Sequence, residues 1–270
     1  MAHMALPLLQ VTGLRVRYAT DTGDAVIAVN DLALSVHAAE TVGLIGESGS
    51  GKSTLANAIM RLLPRRAEAA GKVFFDNCDL LAVRENELSG IRGSRISMIP
   101  QDPAVCLNPV LTAGTQIYEV LRAHLQLTRS QRKQRVRELL GEVGFEDPNT
   151  IAAAYPHQLS GGQRQRVVIA QAIACRPALV IADEPTSKLD SPLQVQIMAL
   201  MSAIVRRHST ALLWITHDPA TLAGFADRVA VMHQGQIVEE GKTGSVFARP
   251  GHAYTKKLME SAAEFALASS

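Results

Sequence analysis

The sequence predicts an α/β fold, and three observations predict it. Thr41-Val42-Gly43-Leu44-Ile45, a short apolar run with β-branched members, leads directly into Gly46-Glu47-Ser48-Gly49-Ser50-Gly51-Lys52-Ser53-Thr54, and residues 55–63 then read as a helix stopped by Pro64. Two more apolar runs, at 178–182 and 211–216, read as strands buried on both faces, as in a parallel sheet, and each ends in polar residues. The chain before the first run shows β-type alternation, whereas residues 102–174 carry helical periodicity.

The glycine-rich stretch matches G-x-x-x-x-G-K-[ST], a phosphate-binding loop, and has the strand–turn–helix context that motif requires. Glycines let the backbone curl until successive N–H groups point at one anion. The helix N-terminus adds its partial positive charge. Lys52 is then placed to reach the β- and γ-phosphates, and the Ser53 hydroxyl to ligate Mg²⁺.

Composition sets the bounds. The 270 residues, 47% of them hydrophobic, suffice for a sizeable core in one large domain or two small ones. A net charge of +2 names no nucleic-acid partner, and 4% aromatic content weakens any base-stacking role. No apolar run reaches the ~18 residues of a membrane span, and no basic-then-apolar leader opens the chain. Met1-Ala2-His3-Met4 holds a second Met, which fits a cloning remnant or a natural start alike. Cys78, Cys106 and Cys175 lie far apart with no C-x-x-C, the pattern of free thiols in a reducing cytosol.

In chain order, residues 8–18 alternate as a strand with a bulge near Gly13. Residues 25–29 and 32–36 read as two strands around an Asn30-Asp31 turn. These antiparallel strands form a β-rich edge. Tyr18 closes the first strand at a polar loop, where simple packing and stacking on a base are both open. Residues 71–76 and 95–100 are further strands, with a short helix and loop at 88–93, and Gln101 follows Pro100 at once. Residues 116–125 carry a helical stripe, Ile117, Val120, Leu121 and Leu125. Ser130 caps the next helix, which buries Val136, Leu139, Leu140 and Val143 and ends at Gly144.

Ser160 opens a helix that continues Gly161-Gly162-Gln163. A Ser cap followed by glycines makes a second anion-binding geometry. Glycines inside a helix cost up to about 1 kcal/mol each against Ala, so close backbone approach to a ligand explains them better than an ordinary cap does. Asp183-Glu184 stands at the C-terminal end of the 178–182 strand, where α/β sheets bind ligands. Asp183 suits Mg²⁺ and Glu184 suits a general base for an attacking water. His217 ends the 211–216 strand, placed to bond a γ-phosphate oxygen or orient that water. Gln234-Gly235 marks a hairpin between two strands, and the chain from Ala253 reads helical with a small-residue end.

The phosphate loop, Gln101, Leu159-Ser160-Gly161-Gly162-Gln163, Asp183-Glu184 and His217, in that order, resemble the nucleotide-binding domain of ATP-binding cassette proteins. The likeness runs from about residue 8 to 258, and L-S-G-G-Q sets this family apart from other P-loop enzymes. It implies a RecA-type P-loop NTPase lobe (5–101 and 175–250) with an antiparallel β edge, an inserted helical subdomain (102–174) and a helical tail (251–270). It implies ATP and Mg²⁺ as cofactors, with Mg²⁺ on Ser53, Gln101 and Asp183. It implies a head-to-tail dimer, in which the phosphate loop of one cassette and the L-S-G-G-Q of another close on one ATP. Under the resemblance Tyr18 stacks on adenine, Gln101 senses Mg²⁺ and contacts a membrane partner, and Ser187-Lys188-Leu189-Asp190 is the inter-subunit loop. That loop more often has a small residue where Lys188 stands.

Leu107-Asn108-Pro109, Tyr155-Pro156-His157-Gln158 and Gly251-His252-Ala253-Tyr254-Thr255 look like the importer ATPases for peptides and nickel. Many peptide members continue into a cysteine-bearing extension, and the short tail here, with no Cys beyond Cys175, looks more like the nickel or metal-chelate members or a shortened peptide member. The branch implies two transmembrane permease subunits, an extracytoplasmic solute-binding protein, and a peripheral position on the cytoplasmic face of the bacterial inner membrane. The second cassette is identical or a paralogue. Lys52, Ser160, Glu184 and His217 are all present, so this chain can serve both composite sites. The alternative is a soluble cassette ATPase acting on nucleic acid or ribosomes, against which stand the absence of room for a long coiled coil between Lys52 and Leu159 and the presence of one cassette, not two.

Overall fold

The computed structural model describes residues 6–19 and 25–268, with the side chains of the last helix described through residue 262. Met1-Ala2-His3-Met4 and the end of the tail at Ser269-Ser270 lie outside those residues. In chain order the elements are β1 (Leu9–Ala19), β2 (Ala25–Val36), β3 (Thr41–Ile45), α1 (Lys52–Ile59), β4 (Ala67–Phe75), β5 (Cys78–Asp79), α2 (Glu85–Ile91), β6 (Ile96–Ile99), α3 (Pro103–Cys106), α4 (Ala113–His124) and α5 (Arg129–Glu142). They continue as α6 (Pro148–Ala153), α7 (Gly161–Ile173), β7 (Leu179–Asp183), α8 (Ser191–His208), β8 (Ala211–Thr216), β9 (Arg228–His233), β10 (Gln236–Lys242), α9 (Thr243–Ala248) and α10 (Ala253–Ala268). The fold is α/β. Its chain divides into two compact units, one from the residues up to 84 together with those from 211 onward, the other from residues 85–210.

In the first unit, β1 lies between β2 and β4 in an antiparallel sheet that β5 extends. The pairing of β1 with β2 slips between Val11 and Leu14, the bulge expected near Gly13. The Asn30-Asp31 turn is corrected: residues 25–36 form one strand, with Asp31 at φ 53° as a kink within it. The Asn30 amide donates to Gly235 O at 2.9 Å, a bond that keeps the segment extended instead of reversing it. A second sheet runs β10, β9, β3, β8, with β3 parallel to both neighbours and β10 antiparallel to β9. All five residues of β3 are buried, as a strand flanked on both sides requires. Trp214 of β8 is fully buried, edge-on to Phe225 at 4.8 Å.

Helix α1 differs from expectation at its end. It stops at Ile59 because Arg61 takes φ 48° and turns its guanidinium to the carbonyls of Val83 (2.7 Å) and Leu80 (3.3 Å). Pro64 therefore follows the stop and does not cause it. Gln234 and Gly235 both have positive φ, 47° and 81°, the hairpin turn foreseen between β9 and β10. The short helix α9 carried no sequence signal that stood out.

In the second unit, β6 and β7 pair in parallel, Ile99 opposite Ala182. Every element from α3 through α7 is helical. Val136, Leu139 and Leu140 of α5 are buried as its stripe predicts. Its cap is corrected to Thr128, whose hydroxyl accepts from the Gln131 amide while Gln131 Oε1 accepts from the Thr128 amide. Ser130 lacks that reciprocal partner at N3, so the capping box wins. Buried Gln116 of α4 holds the preceding loop: its amide oxygen accepts from Asn108 N (2.8 Å) and its NH₂ donates to Asn108 O and Leu111 O.

Two stability predictions arise here. Leu44 of β3 is fully buried, so Leu44→Ala should cost about 2–5 kcal/mol, read as a lower midpoint in urea unfolding. Glu40 accepts from Arg228 Nε at 2.8 Å and from the His37 amide at 2.7 Å. Burial works to raise its pKa, but these bonds and the Arg228 charge outweigh it and hold the carboxyl below its ordinary value. A lowered folded-state pKa means stability present above the ordinary carboxylate range and lost as pH falls through the folded value. Glu40→Gln should therefore lower the urea midpoint at pH 7 and flatten its decline between about pH 5 and 3. A decline as steep as in the parent would show that Glu40 contributes nothing to acid sensitivity.

Candidate functional site

In the first unit the phosphate loop connects β3 to α1. Gly51 is the N-cap of α1 at φ 107°, a left-handed conformation that favours glycine. A Cβ on Gly51 would stand 2.3 Å from Ala28 O, and one on Gly46 would stand 2.2 Å from Met232 O. The loop is therefore pressed against two neighbouring strands at positions only glycine tolerates. Lys52 is 5% exposed, and its ammonium donates to Gly46 O (2.7 Å), Glu47 O (2.9 Å) and Ser50 Oγ (3.4 Å). The charge thus sits inside the curl of the loop. Ser48, Gly49 and Ser53 are exposed, and Gly49 has open space where a Cβ would stand.

Tyr18 and His217 lie in the same unit. Tyr18 OH is 3.2 Å from Thr54 Oγ1, which brings the end of β1 beside the start of α1. Ile45 pairs with Thr216 in the parallel β3–β8 ladder, so Gly46 and His217 leave the sheet at the same end. His217 is exposed. Two contacts on the loop were not foreseen: the Glu47 amide donates to Tyr254 OH at 3.0 Å, and the Gly235 amide donates to Ser50 O at 3.0 Å. The signal for Tyr254 is the G-H-A-Y-T motif, which in the sequence reads only as a mark of branch.

In the second unit the β6–β7 register puts Gln101 and Glu184 just past paired strand ends. Gln101 Nε2 donates to Glu184 Oε2 at 2.9 Å. Asp183 is 5% exposed at the end of β7. Glu184 takes φ 46°, an uncommon conformation for a residue with a side chain, and its carbonyl accepts from the Ser187 hydroxyl at 3.0 Å. Asp190 caps α8, accepting from the Leu193 amide at 3.0 Å. Lys188 forms an ion pair with Asp102, whose carboxyl it holds below the ordinary range.

Ser160 caps α7 in a reciprocal box with Gln163: Ser160 Oγ accepts from Gln163 N at 3.2 Å, and Gln163 Oε1 accepts from Ser160 N at 2.9 Å. The two glycines separate in role. A Cβ on Gly162 would stand 2.4 Å from Leu193 Cδ2, whereas Gly161 has nothing within 4 Å. Packing against α8 accounts for Gly162, and only Gly161 is left for close approach of a ligand. The first unit thus brings together Tyr18, residues 46–54 and His217. The second brings Gln101 to Glu184, and Gly162 to the helix that Asp190 caps.

The groups have clear chemistry. A curled loop with a buried ammonium and a helix N-terminus binds phosphate. A strand-end carboxylate held by an amide orients or deprotonates water. Ser53 in the first unit, and Gln101 and Asp183 in the second, each carry a side-chain oxygen, the hard donor type that Mg²⁺ takes.

Comparison with known proteins agrees. The ABC transporter family profile matches residues 29–187. The oligopeptide transport ATP-binding protein OppD of Salmonella typhimurium is 44% identical over 252 residues, which cover 93% of this chain and 75% of OppD. The dipeptide transport ATP-binding protein DppD of Haemophilus influenzae is 45% identical over 97% of this chain and 79% of its own. The peptidoglycan transport ATP-binding protein YejF of Agrobacterium fabrum is 46% identical over 94% of this chain, which spans only 46% of YejF. Among solved structures, the dimeric post-hydrolysis ATP-binding cassette MJ0796 bound to ADP and Pi matches with a TM-score of 0.77 and 30% identity, covering 87% of this chain and 98% of that one. A phosphate loop in its strand–helix context, the L-S-G-G-Q cap and relatives along nearly the whole length lead to one conclusion: the chain belongs to the ABC transporter family.

Proposed function

We propose that this chain is the ATP-hydrolysing subunit of an importer for oligopeptides or dipeptides. The observation that carries the nucleotide part is the buried Lys52 ammonium held inside the glycine loop. The names of the relatives carry the cargo class, and they favour peptides over nickel or metal chelates. They are transport proteins, which sets aside a role on nucleic acid or ribosomes.

In this reading Tyr18 stacks on adenine, and the amides of residues 46–54 with Lys52 bind the phosphates. His217 bonds the γ-phosphate. Ser53, Gln101 and Asp183 would hold Mg²⁺, which would supply positive charge to offset that of the phosphates. Glu184 orients and deprotonates the attacking water, and its bond from Gln101 fixes which way the carboxylate faces. Ser160, Gly161 and Gln163 cover the nucleotide of a second cassette, identical or paralogous, with Gly162 seating their helix on α8 and Asp190 in the inter-subunit loop. The segment 102–174 acts as the helical subdomain that meets two permease subunits. A solute-binding protein delivers cargo to the permease, and the cassette works at the cytoplasmic face of the inner membrane. Co-purification with polytopic membrane subunits tests that assembly.

Lys52→Ala removes a charge-assisted contact and should weaken ATP binding at least about tenfold, measured by titration with a fluorescent ATP analogue. Unchanged affinity would remove the loop from the site. Glu184→Gln should bind ATP normally yet turn over about 10²- to 10⁴-fold more slowly in a steady-state phosphate-release assay. Brisk turnover by that variant would take Glu184 out of the base role.

A further inference from the structure

Among the contacts on the phosphate loop, the one from Tyr254 spans 207 positions of the chain and has no part in the hydrolytic scheme. Tyr254, at the start of α10, is 9% exposed and accepts a hydrogen bond from the Glu47 amide at 3.0 Å. The carbonyl of the same residue, Glu47, accepts from Lys52 at 2.9 Å. Glu47 is thus held on one side by the tail and on the other by the loop's own lysine. The Tyr254 ring stacks on His233, centroids 3.8 Å apart and planes 26° from parallel. His233 is the last residue of β9, directly before the turn whose Gly235 amide donates to Ser50 O. Both limbs of the loop are therefore buttressed, one by Tyr254 and one by the turn, and the ring stack joins the two buttresses.

The residues before Tyr254 are themselves clamped. The Glu239 carboxylate of β10 accepts from the amides of Gly251 (2.7 Å) and His252 (3.0 Å). His252 Nδ1 accepts from the Tyr254 amide at 3.1 Å. Burial, chiefly, and the nearby Glu47 charge keep the phenol pKa above its ordinary value, so it stays a neutral acceptor. Together these bonds explain the G-H-A-Y-T motif physically, since they deliver one hydroxyl to one loop amide.

We propose that Tyr254 is a positioning residue of the nucleotide site, its hydroxyl fixing the Glu47 limb of the phosphate loop so that the segment entering α10 sets ATP affinity. The inference rests on the reading of residues 46–54 as the ATP phosphate site. A tail that only packs would contribute through ring burial, which phenylalanine keeps. One that positions the loop contributes through the hydroxyl, which phenylalanine lacks.

The experiment uses Tyr254→Phe in the full chain. The Kd and KM for ATP should rise about three- to tenfold, the worth of one hydrogen bond, with kcat changed less than about twofold and Tm within about 2 °C. Hydrogen exchange at the Glu47 amide, followed without nucleotide, should accelerate in the variant while exchange across β3 stays unchanged. That arm reads loop positioning even where ATP binding fails, and loss of ATP binding in Lys52→Ala alongside checks the underlying site. Unchanged ATP affinity with unchanged Glu47 exchange would overturn the proposal. Should Tyr254→Phe lower Tm substantially, Glu239→Gln serves instead, because it loosens residues 251–252 without touching the loop. It should raise the ATP Kd about two- to threefold, and an unaltered Kd would count against the proposal equally.

Discussion

Everything at the phosphate site depends on two places where a backbone carbonyl occupies the space a side chain would need. Ala28 O and Met232 O press on the α-carbons of Gly51 and Gly46, at the two ends of the curl. The loop's shape is therefore cast by β2 and β9. Once cast, it leaves two carbonyls and a hydroxyl converging on one point, and a buried ammonium satisfies them there. A buried lysine would be costly without such partners. Here the fold supplies them from the loop that the lysine serves.

The second unit solves a similar problem with strain and charge. Glu184 is held at φ 46°, a conformation that costs about 1–3 kcal/mol for a residue with a side chain. Neighbouring bonds hold it there: the Ser187 hydroxyl on its carbonyl and Gln101 on its carboxylate. Next in sequence to Ser187, Lys188 reaches back to Asp102, the residue following Gln101. The chain segments after β6 and β7 are thus tied twice, by an amide–carboxylate bond and by an ion pair. The pair is solvent-exposed and adds little stability, but it gives the unusual lysine of this loop an evident occupation.

Much of this was legible in the sequence because it lives in local patterns. The apolar run Thr41–Ile45, the glycines after it, the hairpin at Gln234-Gly235 and the cap at Ser160 each carry their signal within a few residues. What escaped depended on residues distant in the chain. Nothing near Asn30 says that Gly235 will accept its amide and keep residues 25–36 in one strand. Nothing near Arg61 announces the carbonyls of Leu80 and Val83 that end α1 early. Ser130 lost its cap to Thr128 because both are hydroxyl residues and only the partner at N3 separates them. Tyr254 was visible as part of a motif, but its target lies 207 positions earlier.

The packing of Gly162 on Leu193 has a consequence for how the L-S-G-G-Q element can be dissected. Helices α7 and α8 approach closely at that missing methyl, so bulk introduced at 162 pushes on Leu193 before a ligand is involved. Loss of function on enlarging Gly162 would record a displaced scaffold. Gly161, one step away with nothing within 4 Å of where a Cβ would stand, is the position where an added methyl leaves that packing intact.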